Sequence, residues 1–237
     1  HGRQLKSMSA GDTTWTYTYD ANGMRTKRTN GTTTYEYIYN GSQLTGMTKG
    51  TDSLHFTYDA SGVPVAVTYN GTVYYYATNI QGDIVAILDS SGTAVVTYSY
   101  DAWGNANTPA GTMASTLGAL NPLRYRGYVY DHETGLYYLQ SRYYNPSLCR
   151  FINADAFIST GQGLLGNNMF AYCQNSPTNY VDKHGERIVC AFRTQVGGDA
   201  YSDADLVVLE NAEKIIEAAK TYNIDPYVLA GCIHVEQ

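Results

Sequence analysis

Three carboxylates sit where acid–base chemistry is conceivable. Asp155 ends the run Arg150-Phe151-Ile152-Asn153-Ala154-Asp155, and Asp182 opens Asp182-Lys183-His184-Gly185. Glu236 lies one turn beyond Leu229, Cys232 and Ile233 on an apolar segment near the end of the chain. Two carboxylates held close cannot both ionise easily, so one keeps a proton near neutral pH. One then acts as a base and the other protonates a leaving group. Asp155 and Asp182 are 27 residues apart, so only the fold can bring them together. The plainer reading has Asp155 capping a turn and Asp182 making an Asx-turn into Lys183-His184-Gly185. Lys183 beside Asp182 would favour the ionised carboxylate. On position alone, Glu236 reads as a surface residue at a helix end rather than a buried acid with a raised pKa.

Arginines and aromatics crowd the stretch that contains the two aspartates. Leu123-Arg124-Tyr125-Arg126-Gly127-Tyr128 leads into Asp131-His132-Glu133-Thr134-Gly135, and then Arg142-Tyr143-Tyr144 and Arg150-Phe151 follow. Arginine gains from stacking on aromatic faces and can fork onto a carboxylate. Arg124, Arg126 and Arg142 read most simply as packing the edge of a sheet. Asp131 to Gly135 reads as a hairpin turn between two aromatic strands. The histidines, among them His55, His132, His184 and His234, fall in no HxH or HExxH spacing, so neither metal nor cofactor is expected. Cys149, Cys173, Cys190 and Cys232 form no CxxC and read as free thiols, with a Cys149–Cys173 bridge as the alternative in an oxidising compartment.

The elements that must position these residues are mostly strands. The first ~105 residues repeat: Tyr19-Asp20, Tyr39-Asn40, Tyr58-Asp59, Asn79 and Tyr100-Asp101 are spaced 20, 19, 20 and 22 apart, each followed by a glycine. Around these turns the pattern alternates, with Trp15, Tyr17 and Tyr19 on one side and Thr14, Thr16 and Thr18 on the other. Period two means strands with two distinct faces, and Asp/Asn-x-x-Gly steps mean hairpins. A lone hairpin is marginal in water, so the modules must join one continuous sheet. The composition agrees, with 24 Tyr and 23 Gly and only 15% charged residues. Asn105 to Leu120 is small, polar and aperiodic, and reads as a loop.

After Gly197-Gly198 the period changes to helical. Leu206, Leu209, Ala212, Ile215, Ile216 and Ala219 predict one helix, and Asp225-Pro226 starts a second that runs to Gln237. A net charge of −6 gives no electrostatic reason to expect nucleic-acid binding, and no apolar run of about 20 residues predicts a membrane span. The chain opens in mid-pattern and stops in mid-helix, as a piece of a longer protein would.

Tyr19-Asp20, Gly23 and Arg25 resemble the signature of the YD-repeat (RHS) family, whose repeats wind into a large hollow β-shell. The order from Pro122 to Gly185 is similar, over nearly its whole length, to the RHS-associated core domain that closes such shells in polymorphic toxins and insecticidal toxin complexes. That resemblance implies an intramolecular aspartyl protease, which cuts just after a Pro-x4-Asp-Pro-x-Gly-Leu motif and leaves a C-terminal toxin enclosed. Pro177, Asp182 and Gly185 match the motif, while Lys183 stands at its second Pro and Glu186 at its Leu. Asp155 and Arg150 match the family's Asp and Arg in the Arg-Phe segment, and the implied scissile bond is Glu186–Arg187. The end of the chain, Ala218 to Gln237, resembles the start of lysozyme-like transglycosylase domains. That implies Glu236 as the acid that protonates a glycosidic oxygen of peptidoglycan.

The expectation is a mainly β protein. Residues 1–107 form YD-repeat hairpins stacked into a curved sheet, 108–120 a loop, 121–186 the RHS-associated core, and 187–237 the start of a helical variable domain. The resemblance implies an enclosed toxin domain, an immunity protein and peptidoglycan or a surface glycan as partners, and a secreted or surface location. The alternative is a non-enzymatic adhesin that binds cells or carbohydrate through its β-repeats.

Overall fold

The structure, a computed structural model, describes residues 4–155, 168–185 and 188–190. These belong to one compact unit, His1–Arg193. The two helices expected beyond residue 200, with Glu236, lie outside the described residues, as do Glu186 and Arg187.

Ten strands form one antiparallel sheet in sequence order: β1 (Ser7–Ala10), β2 (Thr13–Tyr19), β3 (Arg25–Thr29), β4 (Thr34–Asn40), β5 (Gln43–Lys49), β6 (Asp52–Tyr58), β7 (Pro64–Tyr69), β8 (Thr72–Thr78), β9 (Ile84–Leu88) and β10 (Ala94–Thr97). The alternation carries through into burial: Trp15 and Tyr17 are buried on β2 while Thr14, Thr16 and Thr18 are exposed. The fold is mainly β, with only single helical turns among the described residues.

The repeat turns come in two kinds. At Asp20, Asp59, Asn79 and Asp101, side-chain Oδ1 accepts the amides two and four residues on, and the glycine amide three residues on donates to the Asp or Asn carbonyl. Asp89 builds the same turn. It is hidden in the sequence because it falls between members of the spaced series, 10 residues after Asn79 and 12 before Asp101. Asn40 differs: it pairs with Gln43 across a tight two-residue turn. The stretch from Asn105 to Leu120 is more ordered than its composition implies. It bridges to the sheet through Ala106 and Ala110 and forms a short helical turn at Ala114–Gly118, anchored by the buried Leu117.

Beyond this stretch, β11 (Val129–Asp131), β12 (Leu136–Tyr138), β13 (Tyr143–Asn145) and β14 (Arg150–Phe151) form a four-stranded meander. Asp131 to Gly135 is the expected hairpin turn between β11 and β12. The last described pair is β15 (Tyr180–Asp182) with β16 (Ile188–Cys190), which sets Asp182 opposite Ile188.

The meander packs on the tyrosine face of the long sheet, and one apolar cluster contains residues of both: Trp15, Tyr37, Met47, Leu54 and Ile84 with Leu123, Leu136, Tyr138 and Tyr143. At its centre is a charge pair. Arg25 on β3 and Asp131 in the core hairpin are fully buried, and two guanidinium nitrogens donate to the two carboxylate oxygens at 2.5 and 2.8 Å. The rings of Tyr37 and Tyr138 lie 4.7 and 4.5 Å from the Arg25 guanidinium carbon. A register shift at the end of β2 leaves the Arg25 amide outside the ladder, and the Tyr138 hydroxyl accepts it at 2.9 Å. Next to this pair, Glu133 accepts from Arg28 at 2.5 Å and from the Tyr35 hydroxyl at 2.6 Å. At the other end of the sheet the Tyr125, Tyr137 and Tyr144 hydroxyls donate to the carbonyls of Ala102, Gly104 and Trp103, gripping the last repeat turn. A tyrosine suits this work because its ring fills the core while its hydroxyl satisfies a turn carbonyl.

Two outcomes follow from these contacts. Arg25→Met leaves the buried Asp131 carboxylate with only the longer contact to Arg28 Nε at 3.5 Å, and the expected loss is about 3 kcal/mol of stability in urea unfolding, the low end for breaking a buried pair. Adding Asp131→Leu is expected to restore most of that loss, since the pair is then replaced by apolar volume. Burial alone would push Glu133 upward, but Arg28 and Tyr35 hold it below the usual carboxylate range. Its stabilisation is therefore present above the unfolded-state pKa and is lost as pH falls through the folded one. Glu133→Gln is expected to cost about 1.5–3 kcal/mol near pH 7. The gap to the parent chain is expected to close in acid unfolding curves.

Candidate functional site

The site is built around Arg142, in the turn between β12 and β13. The guanidinium is buried, and the Phe151 ring lies 3.7 Å from its carbon. Arg142 Nη1 meets Asp155 Oδ2 at 2.8 Å, and Nη2 meets Asp182 Oδ2 at 3.0 Å. Nε donates to the Gly185 carbonyl. One side chain thus joins both candidate aspartates and the backbone of the glycine that follows them. A packing role at a sheet edge is too small a description of Arg142. Sequence reasoning missed this because its aromatic neighbours, Tyr143 and Tyr144, look the same as those of Arg124, which is a structural arginine: its nitrogens donate to the Asn121 and Gly118 carbonyls. Arg126 also departs from that reading, as it ties a repeat turn to the Pro177 carbonyl.

Each partner is held from its own element. Asp155 follows β14, and its amide donates to the Met169 carbonyl. Asp182 ends β15 fully buried, with its amide donating to the Tyr128 hydroxyl at 3.1 Å. Lys183 is exposed, so the cation that faces Asp182 is Arg142. Arg150, matched by resemblance to the family's arginine, is exposed on β14 and pairs in register with Asn145, away from the aspartates' guanidinium.

Gly185 is fixed most tightly. Besides Arg142, the Ser141 hydroxyl lies 2.7 Å from its carbonyl and 2.8 Å from that of His184. Its φ is +73°, and an added Cβ would meet Ser141 Oγ at 2.7 Å and the Leu139 carbonyl at 2.9 Å. Only glycine both adopts that backbone and fits the space. Upstream, Cys173, Gln174 and Asn175 have φ of 49°, 51° and 60°, three left-handed residues in a row. Such residues cost about 1–2 kcal/mol each. The turn persists because Tyr172 is buried against Tyr144, ring centroids 3.9 Å apart, and the Tyr172 and Tyr128 hydroxyls are 3.1 Å apart. Burial also pushes the Cys173 thiol upward, so it is an inert packing residue. Cys149 and Cys173 are both free thiols.

Chemically, the arrangement places two carboxylates on one cation beside a pinned backbone carbonyl. With both carboxylates ionised the trio carries one net negative charge, and a single proton makes it neutral. Among the described residues no cluster of His, Cys, Asp and Glu could hold a metal, and no helix is long and apolar enough to cross a membrane.

A serial meander of Tyr-Asp hairpins, closed by an aromatic core docked on its tyrosine face, defines the class: a YD-repeat shell with its closing segment. The chain belongs to the teneurin YD-shell family, whose model matches residues 2–177. That match contains Arg142 and Asp155 and ends before Asp182. Among curated proteins, the tRNA nuclease WapA of Bacillus subtilis (strain 168) is 47% identical over 107 residues, which is 45% of this chain and 4% of the relative. The toxin protein Tse5 of Pseudomonas aeruginosa is 39% identical over 64 residues, 27% of this chain and 5% of that protein. The double-stranded DNA deaminase toxin A of Burkholderia cenocepacia is 35% identical over 100 residues, 42% of this chain and 6% of that protein. Among solved structures, the TcdB2-TccC3-Cdc42 complex matches with a TM-score of 0.58 and 23% identity over 75% of this chain and 9% of that one. The Photorhabdus luminescens Tc holotoxin pore matches with a TM-score of 0.57 and 21% identity over 81% of this chain and 9% of that one. The chain therefore spans less than a tenth of the length of these relatives.

Gly185→Ala tests the packing of the site. The expected outcome is a local loss of about 2–4 kcal/mol, from the left-handed φ and the backbone clash together. Hydrogen exchange of the Val181 and Asp182 amides is expected to speed up accordingly, with β2 to β7 unchanged.

Proposed function

We propose that this chain is the closing part of a toxin shell, and that its core cuts its own backbone after Glu186 to free an enclosed C-terminal effector. The observation that carries this reading is Arg142, which joins Asp155, Asp182 and the Gly185 carbonyl through its three nitrogens. Two carboxylates and a fixed peptide are what peptide hydrolysis by an acid–base pair requires. One carboxylate takes a proton from water as the water oxygen attacks the Glu186 carbonyl carbon. The other gives a proton to the Arg187 nitrogen as the C–N bond breaks. The products are a carboxyl group on Glu186 and an amine on Arg187. Arg142 holds both carboxylates in place and offsets their mutual repulsion. Pinning the Gly185 carbonyl fixes the peptide that leads into Glu186, one residue before the cut, which is the orientation term of catalysis.

The relatives support the wider setting. Proteins named as a tRNA nuclease, a DNA deaminase toxin and a toxin protein share this segment at partial coverage, and the matched solved structures are toxin complexes. A common shell with exchangeable cargo accounts for such different named activities. For this chain the resemblance of Ala218 to Gln237 to lysozyme-like domains favours a peptidoglycan-cleaving cargo, with Glu236 as its acid. On this reading the protein is secreted or surface-delivered, and a producing cell needs an immunity protein.

The test is the full chain, folded under native conditions and run on a denaturing gel beside Asp155→Asn, Asp182→Asn and Arg142→Lys. The expected result is two fragments from the parent chain, the smaller beginning Arg-Ile-Val-Cys by N-terminal sequencing. Each variant is expected to slow cutting by roughly 10²-fold or more, Arg142→Lys because a point charge cannot fork between two carboxylates. A single uncut band in all lanes would sink the protease assignment.

A further inference from the structure

The arm from Pro177 to Gly185 is tied to the repeat sheet at both ends, each time through one bridging side chain. At its start, Arg126 donates from Nη2 to the Pro177 carbonyl at 2.5 Å and from Nη1 to the Gln81 carbonyl at 2.9 Å. Gln81 sits in the Asn79–Gly82 turn between β8 and β9, and its side-chain Nε2 donates directly to the Thr178 carbonyl at 3.2 Å. The Arg126 amide donates to Asp83 Oδ1 in the same turn at 2.9 Å. At the other end, Gln140 donates from Nε2 to the carbonyl of Ser42, the second residue of the tight turn between β4 and β5, at 2.8 Å. Its Oε1 lies 3.1 Å from His184 Nδ1, one residue before Gly185. Gln140 does this with φ at +64°, a costly conformation for a residue with a Cβ.

Each bridge grips a main-chain carbonyl of a turn, and Arg126 adds contacts to the Asp83 carboxylate. A turn carbonyl points in a fixed direction only when the turn and its flanking strands are formed. The two turns lie four strands apart in the sheet, so the pair of bridges samples a broad part of it. Neither bridge touches Asp155 or Asp182 in the contacts that fix those carboxylates on Arg142.

We propose that Gln140 and Arg126 are positioning residues that make seating of the arm conditional on a finished repeat sheet, so that self-cleavage waits for the shell. This rests on the self-cleavage reading for its consequence but not for its geometry. The physical content is a coupling: a turn that opens loses its carbonyl contact, the bridge releases, and Gly185 leaves the site. The benefit is order of events, since cutting before the sheet is complete would release the cargo unenclosed.

The decisive comparison uses the full chain with Gln140→Ala and Gln140→Glu. Glutamate keeps the oxygen that faces His184 but, when ionised, has no donor for the Ser42 carbonyl. Coupling therefore predicts that both variants behave alike. Exchange of the Val181 and Asp182 amides speeds up about fivefold, the size of one lost hydrogen bond, while protection of β6 to β9 stays unchanged. Arg126→Ala is expected to act in the same direction, and the double variant to multiply the two effects. Self-cleavage during refolding is expected to slow in the same proportion. If Gln140→Glu matches the parent chain, or if no variant changes arm exchange, the bridges to the turns carry nothing and the proposal is overturned. Exchange is read without any cutting, so a parent chain that shows the coupling but no fragments would count against self-cleavage alone.

Discussion

A buried ion pair holds the two halves of this structure in register. Arg25 belongs to the repeats and Asp131 to the core, and neither is exposed at all. A charge in an apolar interior is strongly penalised unless it is paired and hydrogen-bonded. The core hairpin therefore docks where its carboxylate meets the guanidinium, and the tyrosines around the pair supply ring faces, a hydroxyl for one guanidinium nitrogen and another for the Arg25 amide. Sliding β11 by one residue would put Tyr130 or His132 where Asp131 meets Arg25 and leave a buried charge unmatched. The remaining contacts, tyrosine hydroxyls on turn carbonyls above all, follow from that alignment.

The same device recurs at the candidate site with a different result. Arg142 also meets carboxylates in a buried, aromatic setting, but it has two of them and a backbone carbonyl besides. The first arrangement is fully enclosed, with Arg25 on both carboxylate oxygens and Arg28 beside them, which suits structure. The second gathers two acids at the end of β15, where the chain passes from the docked core toward the segment beyond. The left-handed turn at Cys173–Asn175 and the constrained Gly185 show that local backbone preferences are overridden here. Such strain persists only where surrounding packing over-determines it, and the aromatic cluster of Tyr128, Tyr144, Phe151 and Tyr172 provides that packing.

Much of the fold was legible in advance, for a simple reason. Strand periodicity and Asp-x-x-Gly turns are local signals, and the alternation at Trp15, Tyr17 and Tyr19 maps directly onto one buried face. The turn at Asp89 escaped because it falls between the members of the twenty-residue series, 10 residues after Asn79 and 12 before Asp101, although its hydrogen bonds are the same. The helical turn at Ala114–Gly118 escaped because its order comes from packing Leu117 and Gly118 against the sheet, not from composition. The aspartates were picked out by type and by resemblance, whereas Arg142 was passed over in favour of Arg150. Nothing local separates the two arginines, since both stand beside aromatic residues.

From the chain alone came the repeats, the two-faced strands, the hairpin at Asp131–Gly135 and the acids worth testing, because each is written within a few residues. Tertiary structure decided which arginine meets which acid. It also tied Pro177 and His184 to distant turns. Those pairings join residues up to about a hundred positions apart, such as Arg25 with Asp131 and Ser42 with Gln140. Over such distances only the docking of one sheet on another brings side chains together, and that docking is governed by burial and charge pairing across the whole interface, which no short stretch of sequence contains.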